Sequence, residues 1–265
     1  MDALHQSYHG KRIHLHSTAL SVASAELNTD EVDHIARLCH RYGPDTVSDH
    51  LSFRTAGDLH LENFIPPLLD AGSRELVRRN VEAVQQACGM RLDLENVTHL
   101  IGDRELLLRE RDFLMELCES SSCGMVFDVN NLFIDCHNYQ FDAQDYLDGL
   151  DLGRIATFHV AGFALDRDGQ YVDTHMERIS DGVLSLLGSV VTKLPVQADV
   201  LLERDNGSAT RTEILSELAR IRTAVDLADG DEPAACCGAC GSKECANQVA
   251  RPDAAEHRRL VDLPL

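Results

Sequence analysis

The chain has 265 residues, a length that fits one α/β barrel. It carries 24 Lys and Arg against 44 Asp and Glu, and a formal charge of −20 argues against a nucleic-acid partner, because phosphate binding needs clustered basic residues. Apolar residues make up 44%, enough for a full core, yet no apolar run approaches the roughly 20 residues of a membrane span.

In chain order, short apolar runs alternate with helix-like stretches. Met1-Asp2-Ala3-Leu4-His5 lacks the basic-then-apolar layout of a secretory signal, so a cytoplasmic protein is expected. Arg12-Ile13-His14-Leu15-His16 reads as the first strand. A helix over 29–42 follows, with Val32, Ile35, Ala36, Leu38 and Cys39 at helical spacing and Thr29 or Asp30 as its cap. Thr46-Val47-Ser48-Asp49-His50 is the next strand, then a helix over 73–88. Leu92-Asp93-Leu94-Glu95-Asn96 leads to a helix over 105–118. Met125 to Asn131 is followed by a short helix over 143–150. Ile155 to His159 precedes a helix over 180–187, and Val200-Leu201-Leu202-Glu203 a helix over 210–227.

Strand and helix in alternation signal a parallel sheet. About six strands are legible where a complete barrel has about eight. The expected fold is therefore α/β, a TIM-like (β/α) barrel lacking its first one or two βα units. Residues 1–227 are expected to form this barrel, a metal-binding catalytic domain. Asp229-Gly230-Asp231-Glu232-Pro233 reads as a break, and 228–265 as a linker and flexible Cys-rich tail.

Each strand ends on a metal-type side chain. In parallel α/β barrels these ends converge on the face that holds the active site. They supply His16, His50, Glu95, Asp128 or Asn130, His159 and Glu203. Asp173 and His175 stand two apart in the loop after His159 and point the same way in an extended segment. Any one of these alone reads as a core or capping residue, and Asp128-Val129-Asn130-Asn131 alone as an Asx-turn. Together they are too many polar groups at one register to bury without a purpose. Imidazole with carboxylate suits iron, manganese or zinc, and a bridging Glu95 would let two or three ions share the site. His14, one layer deeper, reads as a packed neighbour, and His99 and His137 as supports behind the ligands. His5, His9, His34, His40, His60 and His257 read as surface residues.

At these residues the chain resembles the multinuclear non-haem iron-dependent oxidative enzymes that include the methanobactin-maturation oxidase. The resemblance is carried by Leu15-His16 with Leu20-Ser21, Val47-Ser48-Asp49-His50-Leu51, Leu94-Glu95-Asn96 and Phe127-Asp128-Val129-Asn130-Asn131. Phe158-His159-Val160-Ala161-Gly162, Asp173-Thr174-His175 and Leu202-Glu203-Arg204-Asp205 continue it, so that it runs from about Ile13 to about Ala224. It implies two or three irons, with dioxygen as co-substrate, and oxidation of residues, often cysteine, in a ribosomally made precursor peptide. A separate leader-peptide-binding partner protein is also implied. The implied ligands are His16, His50, Glu95, Asn130, His159, Asp173, His175 and Glu203, with Asp128 beside them. Ser17 stands where the family has Gly, Asn138-Tyr139-Gln140 where it has Asn-His-Gly, and Arg204 where it has an aromatic. The family also has two strands ahead of the first His, which Met1 to Gly10 is too short to hold.

Two other readings fit the same residues. One is a divalent-metal hydrolase or isomerase, with a carboxylate as base. The other is a truncated, non-catalytic metal- or peptide-binding paralogue. Of the nine cysteines, Cys39, Cys88, Cys118, Cys123 and Cys136 are expected to be reduced thiols, mostly buried. Cys236, Cys237, Cys240 and Cys245 crowd into a second candidate metal or redox cluster, with Cys237 and Cys240 at C-x-x-C spacing.

Overall fold

The computed structural model describes residues 11–56, 59–195, 198–205 and 209–230. Cys236, Cys237, Cys240 and Cys245 lie outside the described residues, as do His5, His9 and His257.

Six parallel strands form the central sheet. They are β1 (His14–His16), β2 (Thr46–His50), β5 (Leu92–Glu95), β6 (Gly124–Asp128), β7 (Ile155–Val160) and β10 (Asp199–Leu202), hydrogen-bonded in that order. The helices between them are α1 (Thr29–Tyr42), α2 (Ala71–Cys88), α3 (Arg104–Ser121), α4 (Val129–Asn138), α5 (Ala143–Leu147), α6 (Asp181–Val191) and α7 (Arg211–Gly230). This is the expected alternation, and the sheet is the curled, partial barrel that six strands predict. The two outer strands approach across its hollow side: His14 Nε2 on β1 lies 3.1 Å from Asp199 Oδ2 on β10.

Ladder register explains which residues face the hollow. His14 pairs with Thr46, His50 with Glu95, Asp93 with Gly124, Asp128 with His159, and Leu201 with His159. Residues at one level of a parallel sheet point the same way, and each strand alternates. One face therefore carries His14, His16, Ser48, His50, Asp93, Glu95, Asp128, His159 and Asp199. The other carries Val47, Leu92, Leu94, Met125, Phe127 and Phe158, all fully buried beneath the helices. The apolar core thus lies between sheet and helices, and the hollow is polar.

Local signals set the helix ends. Asn28 caps α1 by accepting from Glu31 N, one residue before the cap the sequence suggested, and Gly43 ends the helix in the left-handed conformation. Asp70, Asp103 and Ser180 cap α2, α3 and α6 in the same way. Helix α4 follows β6 with no loop, because Asp128 is both strand end and N-cap, accepting from Asn131 N.

Two antiparallel hairpins escaped the sequence reading. β3 (Phe53–Ala56) pairs with β4 (Leu59–Ile65), and β8 (Phe163–Leu165) with β9 (Tyr171–Asp173). Both rise from strand C-termini, after β2 and β7, and so flank the face where the candidate ligands gather. Cys39, Cys88, Cys118 and Cys123 are buried free thiols, and Cys136 is a half-buried one. No helix among the described residues is long and apolar enough to cross a membrane.

Candidate metal centre

The strand ends bring the candidate ligands together. Glu95, only 1% exposed, lies at their centre. Its Oε2 is 3.3 Å from His16 Nε2 and 3.5 Å from His50 Nε2, and its Oε1 is 2.8 Å from His159 Nδ1. His159 Nδ1 is also 3.1 Å from Glu203 Oε2. The His16 ring lies edge-on to His50 and His159, with centroids 4.8 and 5.2 Å away.

Four overlapping donor groups result, each with its ligand atoms within 4.8 Å of one another. They are His16, His50 and Glu95; His16, His159 and Glu203; Glu95, Asp128, His159 and Glu203; and His175, Glu203 and Asp205. Glu95, His16 and His159 each belong to two groups, and Glu203 to three. Shared carboxylates are what adjacent ions need for bridging.

Positions around the donors are fixed from behind. Ser48 Oγ bonds His16 Nδ1 at 2.8 Å, turning Nε2 toward Glu95. Phe64 on β4 stacks on the His50 ring, centroids 3.7 Å apart. Asn96 Oδ1 accepts from Asp128 N at 2.9 Å, and Asn96 Nδ2 donates to Asp128 O at 3.0 Å. Asn130 Nδ2 donates to Asp173 Oδ1 at 2.9 Å, and His175 Nε2 lies 2.9 Å from the same oxygen. Gly162 lets the His175 loop lie against the end of β7: a Cβ there would stand 2.0 Å from Glu177 O. His175 itself has φ of 51°, in the left-handed region that side chains rarely adopt.

All nine strand-end and loop candidates therefore join one connected polar cluster, though not alike: Asn130 and Asp173 connect to it through His175 and belong to none of the donor groups. Asp128 spends Oδ1 on capping α4 and keeps Oδ2 for the pocket. Asn130 likewise keeps Oδ1. Asp205 was missed by sequence reasoning. It stands two residues past Glu203, and its Oδ2 is 3.3 Å from His175 Nδ1; the two-residue spacing was the available signal. His14 is a packed neighbour, as read, bonded to Thr46 Oγ1 at 2.9 Å. His99 supports no donor directly and pairs with Asp135, while His137 stacks on Tyr171. His34, His40 and His60 are exposed.

Charge is crowded here. Burial favours a protonated Glu95, but His159, His50 and His16 outweigh it and hold the carboxyl well below the usual range. Burial pushes Asp128 well up, and Glu95 adds to the effect. Burial lowers His16, and the rings of His50 and His159 reinforce this against Glu95. In His159 burial is outweighed by Glu95 and Glu203, and the ring is raised well above its ordinary value. His175, where burial is likewise outweighed by Asp173, is raised to about 10.

The donors fit a metal. Asp128 Oδ2, Asn130 Oδ1 and His50 Nδ1 are buried outside any hydrogen bond among the described residues, and His16 Nε2, Glu95 Oε2 and the His175 ring nitrogens meet only other members of the set. Buried polar atoms left without partners are costly, and one cation cluster would satisfy them at once.

The model of the RiPP precursor modification enzyme family MbnB/TglH/ChrH matches residues 1–226. The chain belongs to this family. Among its relatives are two UPF0276 proteins, one of Neisseria gonorrhoeae, 31% identical over 78% of this chain and 74% of the relative. The other, NMB2142 of Neisseria meningitidis serogroup B, is 30% identical with the same coverage. Two solved structures share the fold at low identity. A xylose isomerase-like TIM barrel protein from Mycobacterium smegmatis, in complex with magnesium, superposes with a TM-score of 0.53 at 12% identity, over 82% of this chain and 74% of that one. The 3-keto-D-glucoside 4-epimerase YcjR of E. coli gives 0.52 at 16% identity, over 83% and 82%. Family membership makes the chain a member of an enzyme group that modifies precursor peptides, on a TIM-barrel-like fold.

Proposed function

We propose that the chain uses iron and dioxygen to oxidise residues, cysteine foremost, in a ribosomally made precursor peptide. The observation that carries this reading is the sharing of Glu95, His16, His159 and Glu203 among overlapping donor groups. Such sharing suits two or three ions held side by side, beyond what a single-ion hydrolase needs. His16, His50, Glu95, Asp128, Asn130, His159, Asp173, His175 and Glu203 are the proposed ligands, and Asp205 joins them. Iron bound there would supply the one-electron and dioxygen chemistry that side chains lack.

The residues do the rest. Glu95 would be shared between ions, since its oxygens lie within reach of three imidazoles. Ser48 and Phe64 hold His16 and His50 in one orientation, which favours ligation by limiting the motion of both rings. The left-handed His175 and the Gly162 contact fix the loop that brings Asp173 and His175 over the pocket. A leader-peptide-binding partner protein would deliver the substrate, and the chain would act in the cytoplasm.

The test is metal analysis with aerobic and anaerobic incubation of a cysteine-rich precursor peptide. A mass change that requires both iron and oxygen supports the oxidase. Colourless protein holding zinc or magnesium, with no oxygen use, would favour the hydrolase or isomerase reading instead.

A further inference from the structure

Seven large apolar side chains are well exposed among the described residues, and the three most exposed gather in one place: Ile101 at 87%, Leu68 at 73% and Leu100 at 70%. They rim a cavity of about 520 Å³ between the end of β4 and the loop after β5. Phe64, Pro67, His99 and Leu106 help form its walls. An apolar rim around an open groove is a recognition surface, since a surface with no ligand gains nothing from clustering such side chains.

Two observations say what occupies it. The groove adjoins the candidate metal centre, because the Phe64 ring that lines it is the ring stacked on His50, 3.7 Å away. It also has one fixed polar fitting. His99 Nδ1 lies 2.9 Å from Asp135 Oδ2, its backbone N donates to Asp135 Oδ1 at 3.1 Å, and Tyr139 Oη donates to its carbonyl at 2.7 Å. The ring is thereby locked through Nδ1, and His99 forms part of the groove wall. One imidazole among aliphatic wall residues suits a peptide, whose apolar side chains fill the groove while a backbone amide group meets the ring.

We propose that this groove seats the stretch of precursor peptide adjoining the modified residue, with an apolar side chain lodged against Leu68, Leu100 and Ile101 and a backbone group bonded to His99 Nε2. The proposal rests on the reading that the metal centre acts on a peptide. It adds a sequence preference: an apolar residue beside the reacting one.

Fluorescence anisotropy on the purified, metal-containing chain tests it with two labelled ten-residue peptides. One has a central cysteine flanked on both sides by leucine and phenylalanine; the other has serine in their places. The leucine and phenylalanine peptide should bind at least about tenfold more tightly. Leu100→Asp and Ile101→Asp, both at exposed positions, should erase that difference while leaving metal content and the circular dichroism spectrum unchanged. His99→Gln should weaken both peptides alike, because it removes a backbone contact. Equal binding of the two peptides, or a preference that survives both aspartates, overturns the proposal. So does a preference absent in the chain alone while Ile101→Asp dislodges a co-purifying partner, for the surface then docks a protein. If the preference holds in protein that contains no iron, the groove stands and the oxidase reading falls. If iron and oxygen-dependent turnover are intact and the preference is absent, the reverse is true.

Discussion

The two ends of the barrel hollow are built from the same residue types and resolved differently. At the lower end, Asp199 is fully buried between Arg12 Nη1 at 2.8 Å and His14 Nε2 at 3.1 Å, and Arg91 Nε donates to Asp93 Oδ1 at 2.7 Å. At the upper end, Glu95, Asp128, Asp173, Glu203 and Asp205 face four imidazoles, and among the described residues no Lys or Arg pairs with them. A buried carboxylate needs a cation. The lower end has guanidinium groups from its own chain. Both ends keep buried atoms outside hydrogen bonds, His14 Nε2 and the Asp199 oxygens among them; the upper end differs in having, among the described residues, no guanidinium beside its carboxylates, so a metal cation could take that place.

The strongest way to break this contrast is at Glu95. Glu95→Gln removes the carboxylate shared by two donor groups, and turnover should fall at least about 100-fold. Anaerobic titration calorimetry should show fewer ferrous ions bound per chain, with the fold retained. Asp199→Ala should do the opposite: metal content stays, but stability drops by about 3 kcal/mol in denaturant unfolding, because Arg12 and His14 lose their buried partner. That is the low end for such a loss, since Arg12 keeps some solvent.

A third group tests whether burial that outweighs a neighbouring imidazole has the expected sign. Glu110 on α3 is 1% exposed, with Tyr146 Oη 3.4 Å away and His99 and Asp135 nearby. Burial raises its carboxyl from 4.5 to about 7. The folded chain then holds a proton that the unfolded chain releases, so this group's contribution is intact below about pH 4.5 and is lost as pH rises toward 7. Glu110→Gln should therefore gain stability relative to the parent as pH climbs from 5 to 8, by no more than about 3 kcal/mol. Paired melting curves across that range check it; a constant difference would contradict it. The smallest effect is expected at Gly124, where an added Cβ would stand 2.1 Å from Asp93 Oδ1 and 2.6 Å from Arg91 Cζ. Gly124→Ala should displace the lower-end Arg91 pair at a cost of roughly 1 kcal/mol, again without loss of metal.

The sequence made the upper end legible because each apolar run ended on a ligand-type side chain, and His14, on the same face as His16, is set apart by lying one layer deeper in the strand. The six-strand count and the helices between were readable for the same reason, as periodicity survives in each segment. What stayed hidden depends on distant pairing. Phe64 reaches His50 only through the β3–β4 hairpin, whose partners are set by tertiary contacts. His99, Asp135 and Glu110 come from a loop and two helices, and nothing in their separate surroundings announces a cluster. Asp205 was passed over because it lies in a loop beyond its strand, where spacing carries little weight. Helix α4 was overlooked because Asp128 ends a strand and caps a helix at once, erasing the loop that would mark the boundary.

The central claim, that the upper end holds a multinuclear iron cluster, is tested most directly by elemental analysis with Mössbauer spectroscopy on anaerobically purified protein. Two to three irons per chain, with spectra of spin-coupled ions that collapse in Glu95→Gln, are the expected result. Protein that binds a single ion, or zinc in place of iron, would contradict it.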